Sequence, residues 1–330
     1  MKRNCKGDYG SLSSLKGERI LVTGGTGHIG SHLVARLASE GSHLLVVARN
    51  REKLDGLKRN APAGDIETFV CNLSQAQEVS EVGEHVGSID LLVHLAAAEI
   101  PKKSPVGDDA GYSVENSVMA TTNVCSYLGR GAKKACLASA AVVYGLPVYL
   151  PVDERHPTEP QTYHAAGKLA AEKYVKIFSQ RNNCPTVILR FASVYGPGEA
   201  AQRTIPSFIK AVLRGSSPIV YGQGLDMRDY VYIADVVESI VLALQGEISG
   251  CKVYNIASGQ GYAIKELAQT IVNLCGGTQP LVYQPTTGRK FDYVFDISAA
   301  QRDLQYSPKT GLEEGLRHEI AWFQSQVTTL

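Results

Sequence analysis

The feature that most constrains this chain is Gly24-Gly25-Thr26-Gly27-His28-Ile29-Gly30, a glycine cluster set between two kinds of periodicity. Before it, Arg19-Ile20-Leu21-Val22-Thr23 is a short apolar, β-leaning run; after it, Leu33, Val34 and Leu37 fall at helical spacing. Strand, glycine turn and helix is the context that gives such a motif meaning. Gly24 permits the tight turn, Gly27 lets a pyrophosphate approach the backbone at the helix N-terminus, and Gly30 allows close packing of helix on strand. The unit predicts an α/β chain that opens with a dinucleotide-binding fold, with Thr26, His28 and Ile29 beside the cofactor.

Composition sets the limits. A chain of 330 residues, 44% hydrophobic, can bury the core of one large α/β domain, or of a large domain with a smaller one grown from it. Lys plus Arg number 33 against 32 Asp plus Glu, a formal charge of +1, so no basic field points to nucleic acid or a membrane surface. Small molecules or a second copy of the chain are the expected partners. Cysteines at 5, 71, 125, 136, 184, 251 and 275 have no C-x-x-C spacing and an odd total. They read as reduced thiols of a cytoplasmic protein, neither a disulfide frame nor a zinc site, and no metal is expected. No apolar run approaches the roughly 18 to 20 residues that span a bilayer. Met1 to Lys16 lacks a signal-peptide apolar core and reads as a polar leader.

The second strand, Leu44-Leu45-Val46-Val47-Ala48, ends where an NAD-binding protein places an acid for the ribose 2′-hydroxyl. Here Ala48 is followed by Arg49-Asn50-Arg51. Without the carboxylate a 2′-phosphate is not repelled, and a guanidinium can grip it bidentately, so NADP is the expected cofactor, with NAD as the alternative. The competing reading is that Arg49 and Arg51 only solvate a helix start.

Further motifs follow in order: Cys71-Asn72-Leu73-Ser74; a fourth strand Leu91 to Leu95 running into Ala96-Ala97-Ala98; Asn116 and Thr121 in N-x-x-x-x-T spacing; Ser139-Ala140-Ala141-Val142-Val143-Tyr144-Gly145; a helix from Gln161 to Phe178; Phe191-Ala192-Ser193-Val194-Tyr195-Gly196-Pro197-Gly198; Arg228-Asp229-Tyr230-Val231-Tyr232; Tyr254-Asn255-Ile256-Ala257-Ser258-Gly259; and a terminal helix from Gly311 to Trp322. Over about residues 18 to 323 the chain resembles the extended short-chain dehydrogenase/reductases that handle nucleotide sugars. That resemblance implies a Rossmann-type doubly wound parallel sheet over 17–187, returning near 225–257, with a smaller C-terminal substrate-binding lobe mainly in 188–330. It implies cofactor contacts at Asn72, Leu73, Leu95, Ala96, Ala97, Asn50, Phe191, Ser193 and Val194, and substrate contacts at Ser193, Arg228 and Tyr144. Arg228 would bind a substrate diphosphate, unless a structural salt bridge holds it. It also implies a homodimer built from the helix near 112–130 and the Gln161–Phe178 helix, whose apolar stripe reads as Leu169, Ala170, Tyr174 and Ile177. His94 reads as a packed strand histidine.

Besides Asn72 in place of the family's acid and Ser193 in place of its Asn, the departures from the family lie at the chemistry. Relatives carry a tyrosine four residues before a lysine on one helical face. Here His164 is four before Lys168 and Tyr163 five before it; at about 100° per residue the first pair is offset by roughly 40° and the second by roughly 140°. The hydroxyl expected four residues before Tyr144 is Ala140, with Ser139 one place earlier. Neighbouring strand residues face opposite ways, so Ser139 replaces Ala140 only across a bulge. An imidazole is a base near neutral pH without any lowering of its pKa. Three readings stay open: an NADP-dependent epimerase, dehydratase or reductase with His164 as base, Lys168 beside it and Ser139 as helper; a non-redox enzyme using His164 for proton transfer; and a degenerate dinucleotide-binding module.

Overall fold

The computed structural model describes residues 14–61, 65–97, 109–199, 203–286 and 291–327. All but the end of the leader, Cys5 and Ala98 lie outside these residues. The large layer is built from β1 (Arg19–Thr23), α1 (His28–Ser39), β2 (His43–Ala48), α2 (Arg51–Asn60), β3 (Ile66–Val70), α3 (Ala76–Val86) and β4 (Leu91–His94). A helical stretch then runs from α4 (Asp109–Ser113) through α5 (Ala120–Asn123) to Leu128, with π-type turns at Val114–Met119 and Val124–Leu128. It is followed by β5 (Lys134–Ala140), α6 (Tyr163–Asn182) and β6 (Thr186–Phe191).

The rest of the chain contributes β7 (Ser193–Tyr195), α7 (Thr204–Leu213), β8 (Ile219–Tyr221), β9 (Met227–Tyr232), α8 (Ile233–Gln245), β10 (Cys251–Ile256), β11 (Gly261–Ala263), α9 (Ile264–Leu274), β12 (Val282–Gln284), α10 (Ser298–Leu304) and α11 (Leu312–Val327). Seven strands form the main sheet in the order β10-β6-β5-β4-β1-β2-β3, all parallel. The doubly wound sheet is thus present, and its order reverses between β1 and β4, where such folds bind their ligands. Because helices cover both faces, the strands are apolar throughout: Ile20, Val22, Leu44 and Val46 pack to one side, Leu21, Leu45, Val47 and Leu92 to the other. Outside the main sheet, two small sheets form, β11-β9-β7 and β12-β8.

Some boundaries move for local reasons. The fourth strand stops at His94, one residue short of Leu95. The helix expected from Gln161 starts at Tyr163, because the Thr162 side chain accepts from the Ala165 amide at 3.2 Å and caps it. It runs on to Asn182, where Asn183 adopts the left-handed conformation. The division at 187 falls inside β6, while β10 carries the chain's later return into the same sheet. The stripe on α6 is corrected as well. Tyr174 and Ile177 are 46% and 48% exposed, and the buried face is Ala165, Lys168, Ala171, Glu172, Val175 and Phe178.

Candidate active site

At the carboxyl ends of β1 and β4 a cleft of about 460 Å³ opens over the switch point. Its floor is the glycine turn. Gly24 has φ +73°, and a Cβ there would lie 2.7 Å from the Ala96 amide nitrogen, so only glycine lets these two loops approach. A Cβ on Gly30 would collide with the Gly24 carbonyl. Gly27 caps α1 without a side-chain bond, leaving the first amides of that helix directed at the cleft. Thr26, His28 and Ile29 line the same wall. This cradle, with the positive end of α1 behind it, fits a dinucleotide diphosphate.

His28 sits where burial, and then the neighbouring His32 and Arg203, pull its pKa down to about 4, so its ring is neutral. His32 ties α1 to the Tyr195-Gly196-Pro197-Gly198 turn, its Nε2 lying 2.9 Å from the Pro197 carbonyl oxygen. His94 is enclosed between Thr23 Oγ1 at 2.6 Å and Thr121 Oγ1 at 3.0 Å, and burial lowers its pKa to about 3. It is a packed strand histidine.

At the far end of β2, Ala48 and Arg49 line the cleft, and the Arg49 Nη1 donates to Asn116 Oδ1 at 3.0 Å. Asn72, Leu73, Leu95, Ala96 and Ala97 are also on its walls. Asn50 is not. Its side chain accepts from the Lys53 amide at 2.8 Å and caps α2. Phe191 and Val194 reach the cleft, but the residue beside them that does so is Ala192, not Ser193.

His164 and Lys168 line the cleft together, one helical turn apart on α6. Tyr163, at the first turn of that helix, is 60% exposed and absent from the cleft wall; its carbonyl accepts from Ser113 Oγ at 2.6 Å. The Lys168 Nζ donates to the Ala138 carbonyl at 2.8 Å, and burial lowers its pKa to about 8 against the raising influence of Glu172. The bulge that would let Ser139 stand in for Ala140 is not there: the ladder runs Ser139↔Arg190 and Ala140↔Phe191 without interruption. Ser139 reaches the cleft wall, yet its hydroxyl donates to Glu172 Oε1 at 2.5 Å.

Two of the expected substrate contacts are engaged elsewhere. Tyr144 is fully buried, its hydroxyl donating to Asn255 Oδ1 at 2.6 Å, away from the cleft. Arg228 lies outside the cleft, donating to the Met227 and Phe291 carbonyls at 2.8 and 2.6 Å, with its guanidinium 4.6 Å from the Phe291 ring centre. Main-chain oxygens and aromatic faces hold it, and among the described residues no carboxylate pairs with it. Sequence reasoning missed Glu199 and Arg203, which line the cleft from the segment after the Tyr195–Gly198 turn. Their charge was the available signal, but only the fold brings these two residues to the cleft, Arg203 near His28. Among the described residues no group of three or more His, Cys, Asp or Glu could hold a metal ion, and no helix is long and apolar enough to cross a membrane.

Comparison with known proteins agrees with this geometry. Residues 20–257 match the model of the NAD dependent epimerase/dehydratase family. A putative UDP-glucose 4-epimerase of Methanocaldococcus jannaschii is 29% identical over 318 residues, covering 94% of this chain and 100% of that protein. The UDP-glucose 4-epimerase of Thermotoga maritima, solved with UDP-glucose, superposes with a TM-score of 0.81 at 27% identity, over 94% of this chain and 99% of its own. The Bordetella bronchiseptica enzyme WbmG in complex with NAD superposes with a TM-score of 0.80 at 26% identity, over 94% and 95%.

Proposed function

The chain belongs to the NAD dependent epimerase/dehydratase family, and on that premise we propose that it is an NADP-dependent enzyme acting on a nucleotide sugar or a similar small biosynthetic intermediate, with His164 in the place of the family's tyrosine. The observation that carries this reading is the shared cleft. His164 and Lys168 line it side by side, and Tyr163 does not. In this reading the imidazole of His164 takes the proton of the substrate hydroxyl and returns it. Lys168, seated on the Ala138 carbonyl, holds the nicotinamide ribose. The nicotinamide cofactor held there would supply the hydride acceptor and donor. The glycine turn and the amides of α1 hold its diphosphate.

Support for NADP comes from Ala48 and Arg49 on the cleft wall, where no acid repels a 2′-phosphate. A nucleotide sugar is favoured because the T. maritima structure contains UDP-glucose. A homodimer belongs to the same reading. The helical stretch 109–128 packs against α6, and the two leave Val114, Met119, Tyr174 and Ile177 exposed. So does a reducing compartment, the cytoplasm, for a chain whose six described cysteines are free thiols.

A second reading has one specific observation behind it. Ala140 has no hydroxyl and Ser139 is bonded to Glu172, so the usual hydroxyl pair is not assembled. Proton transfer by His164 without net redox fits that arrangement. The two separate on a panel of UDP- and dTDP-hexoses. The first reading expects transient absorbance of reduced nicotinamide with product formation, and the second expects solvent deuterium in the product with no reduced cofactor. A panel of which no member is converted would overturn both readings for nucleotide sugars.

A further inference from the structure

We propose that Glu172 is a positioning residue for this site, a buried counter-charge that keeps Lys168 charged and seated at the end of β5. The proposal rests on the reading of Lys168 as a working residue of the cleft. Glu172 follows Lys168 by one turn on the buried face of α6. Lys168, Glu172 and Arg190 are only 9%, 4% and 6% exposed, so the interior between α6, β5 and β6 holds two cations and one anion; the other titratable groups near Lys168 are His94 on β4, held neutral by burial, and His164 one turn earlier on α6.

Both oxygens of the anion are committed. Oε1 accepts from Ser139 Oγ at 2.5 Å and from Arg190 Nε at 3.0 Å, and Oε2 accepts from Arg190 Nη2 at 2.7 Å. This is a bidentate guanidinium–carboxylate pair with a third donor fixing the carboxylate plane. Arg190 is held in turn over the Tyr144 ring at 4.7 Å, and Tyr144 is bonded to Asn255 on β10. Three adjacent strands thus fix where the carboxylate stands relative to the ammonium of Lys168, which has its own hydrogen bond to the Ala138 carbonyl next to Ser139.

Removing the carboxylate would leave two buried cations with no counter-charge. A guanidinium does not release its proton in a protein, whereas an ammonium can. Lys168 would therefore be the group to yield, becoming a neutral amine. Such an amine still donates a hydrogen bond but no longer offers a positive charge to the cleft. The same network accounts for the place of Ser139: its hydroxyl orients Glu172 instead of meeting a substrate.

The test is competitive labelling of the lysines in the full-length, unliganded protein with a trace acylating reagent across pH, read at Lys168 by mass spectrometry. Because it needs no turnover, it stands even if no nucleotide sugar is converted. Glu172→Gln is expected to lower the pH at which Lys168 becomes reactive by about one pH unit or more, and Glu172→Asp to restore part of that. Ser139→Ala, which keeps every charge, is expected to move it in the same direction by less than half as much, and it carries the test should Glu172→Gln not fold. Where turnover is measurable, the alkaline limb of kcat/KM should move with the labelling curve. A Lys168 curve unchanged to within about 0.3 pH unit in folded Glu172→Gln overturns the proposal. So does a Ser139→Ala protein that loses turnover at every pH with its Lys168 curve unmoved, since the hydroxyl would then be serving the substrate.

Discussion

His164 and Lys168 share one face of α6 and one wall of the cleft, while Tyr163, a single residue earlier, is 60% exposed. One residue of displacement therefore decides which side chain lines the cleft. His164→Ala should lower kcat by about 10²-fold or more, the range of a general base, while NADPH affinity changes less than about threefold. Tyr163→Phe should leave both within about twofold. Steady-state kinetics with calorimetric cofactor binding checks this, and a large loss in Tyr163→Phe would move the base to the tyrosine.

Arg49 stands on the cleft wall with Ala48 before it and no acid at the end of β2. Arg49→Ala should weaken NADPH binding by about tenfold or more, the worth of a charge-assisted hydrogen bond, and leave NADH binding nearly unchanged. An equal loss for both, by titration calorimetry, would return Arg49 to solvating the start of α2.

Gly24 combines a φ of +73° with close approach to Ala96. Gly24→Ala should cost about 2 kcal/mol or more and lower the midpoint of thermal unfolding by several degrees in the unliganded protein. An unchanged melting curve would show that the turn can relax.

Glu319 on α11 is fully enclosed, its carboxyl set against that of Glu199. Burial and then the Glu199 charge push its pKa up to about 10. Its folded value lies above the unfolded one, so the stability it contributes is complete below the ordinary carboxyl range and is lost as pH rises toward 10. Glu319→Gln, which cannot ionise, should match the parent near pH 5 and exceed it by about 2 kcal/mol or more near pH 9. Melting curves at the two pH values decide, and a gap that does not widen refutes it.

Tyr174 and Ile177 lie exposed on α6 beside the 109–128 helices. Light scattering after size exclusion should give a dimer for the parent chain, and Tyr174→Glu with Ile177→Glu should give a monomer. A monomeric parent would contradict that assembly.

The sequence by itself determined the parallel sheet and its opening turn. The glycines at 24, 27 and 30 and the fully apolar strands admit few alternatives, because backbone sterics and burial on both faces act locally. It also placed His164 and Lys168 together, since helical spacing alone aligns residues four apart. The buried face of α6 was not legible. Hydrophobic periodicity selects Tyr174 and Ile177, whereas the buried face carries Lys168, bonded to the Ala138 carbonyl of β5, and Glu172, bonded to Ser139 of β5 and Arg190 of β6. The places of Tyr144, Asn50 and Arg228 were decided the same way, by partners distant in the chain or by the start of a helix. Glu199 and Arg203 reach the cleft only through the tertiary fold, which sets Arg203 near His28 of α1. Which hydroxyls are free, and which buried charges have counter-charges, depends on contacts between strands and helices far apart in sequence, and only the tertiary structure supplies those.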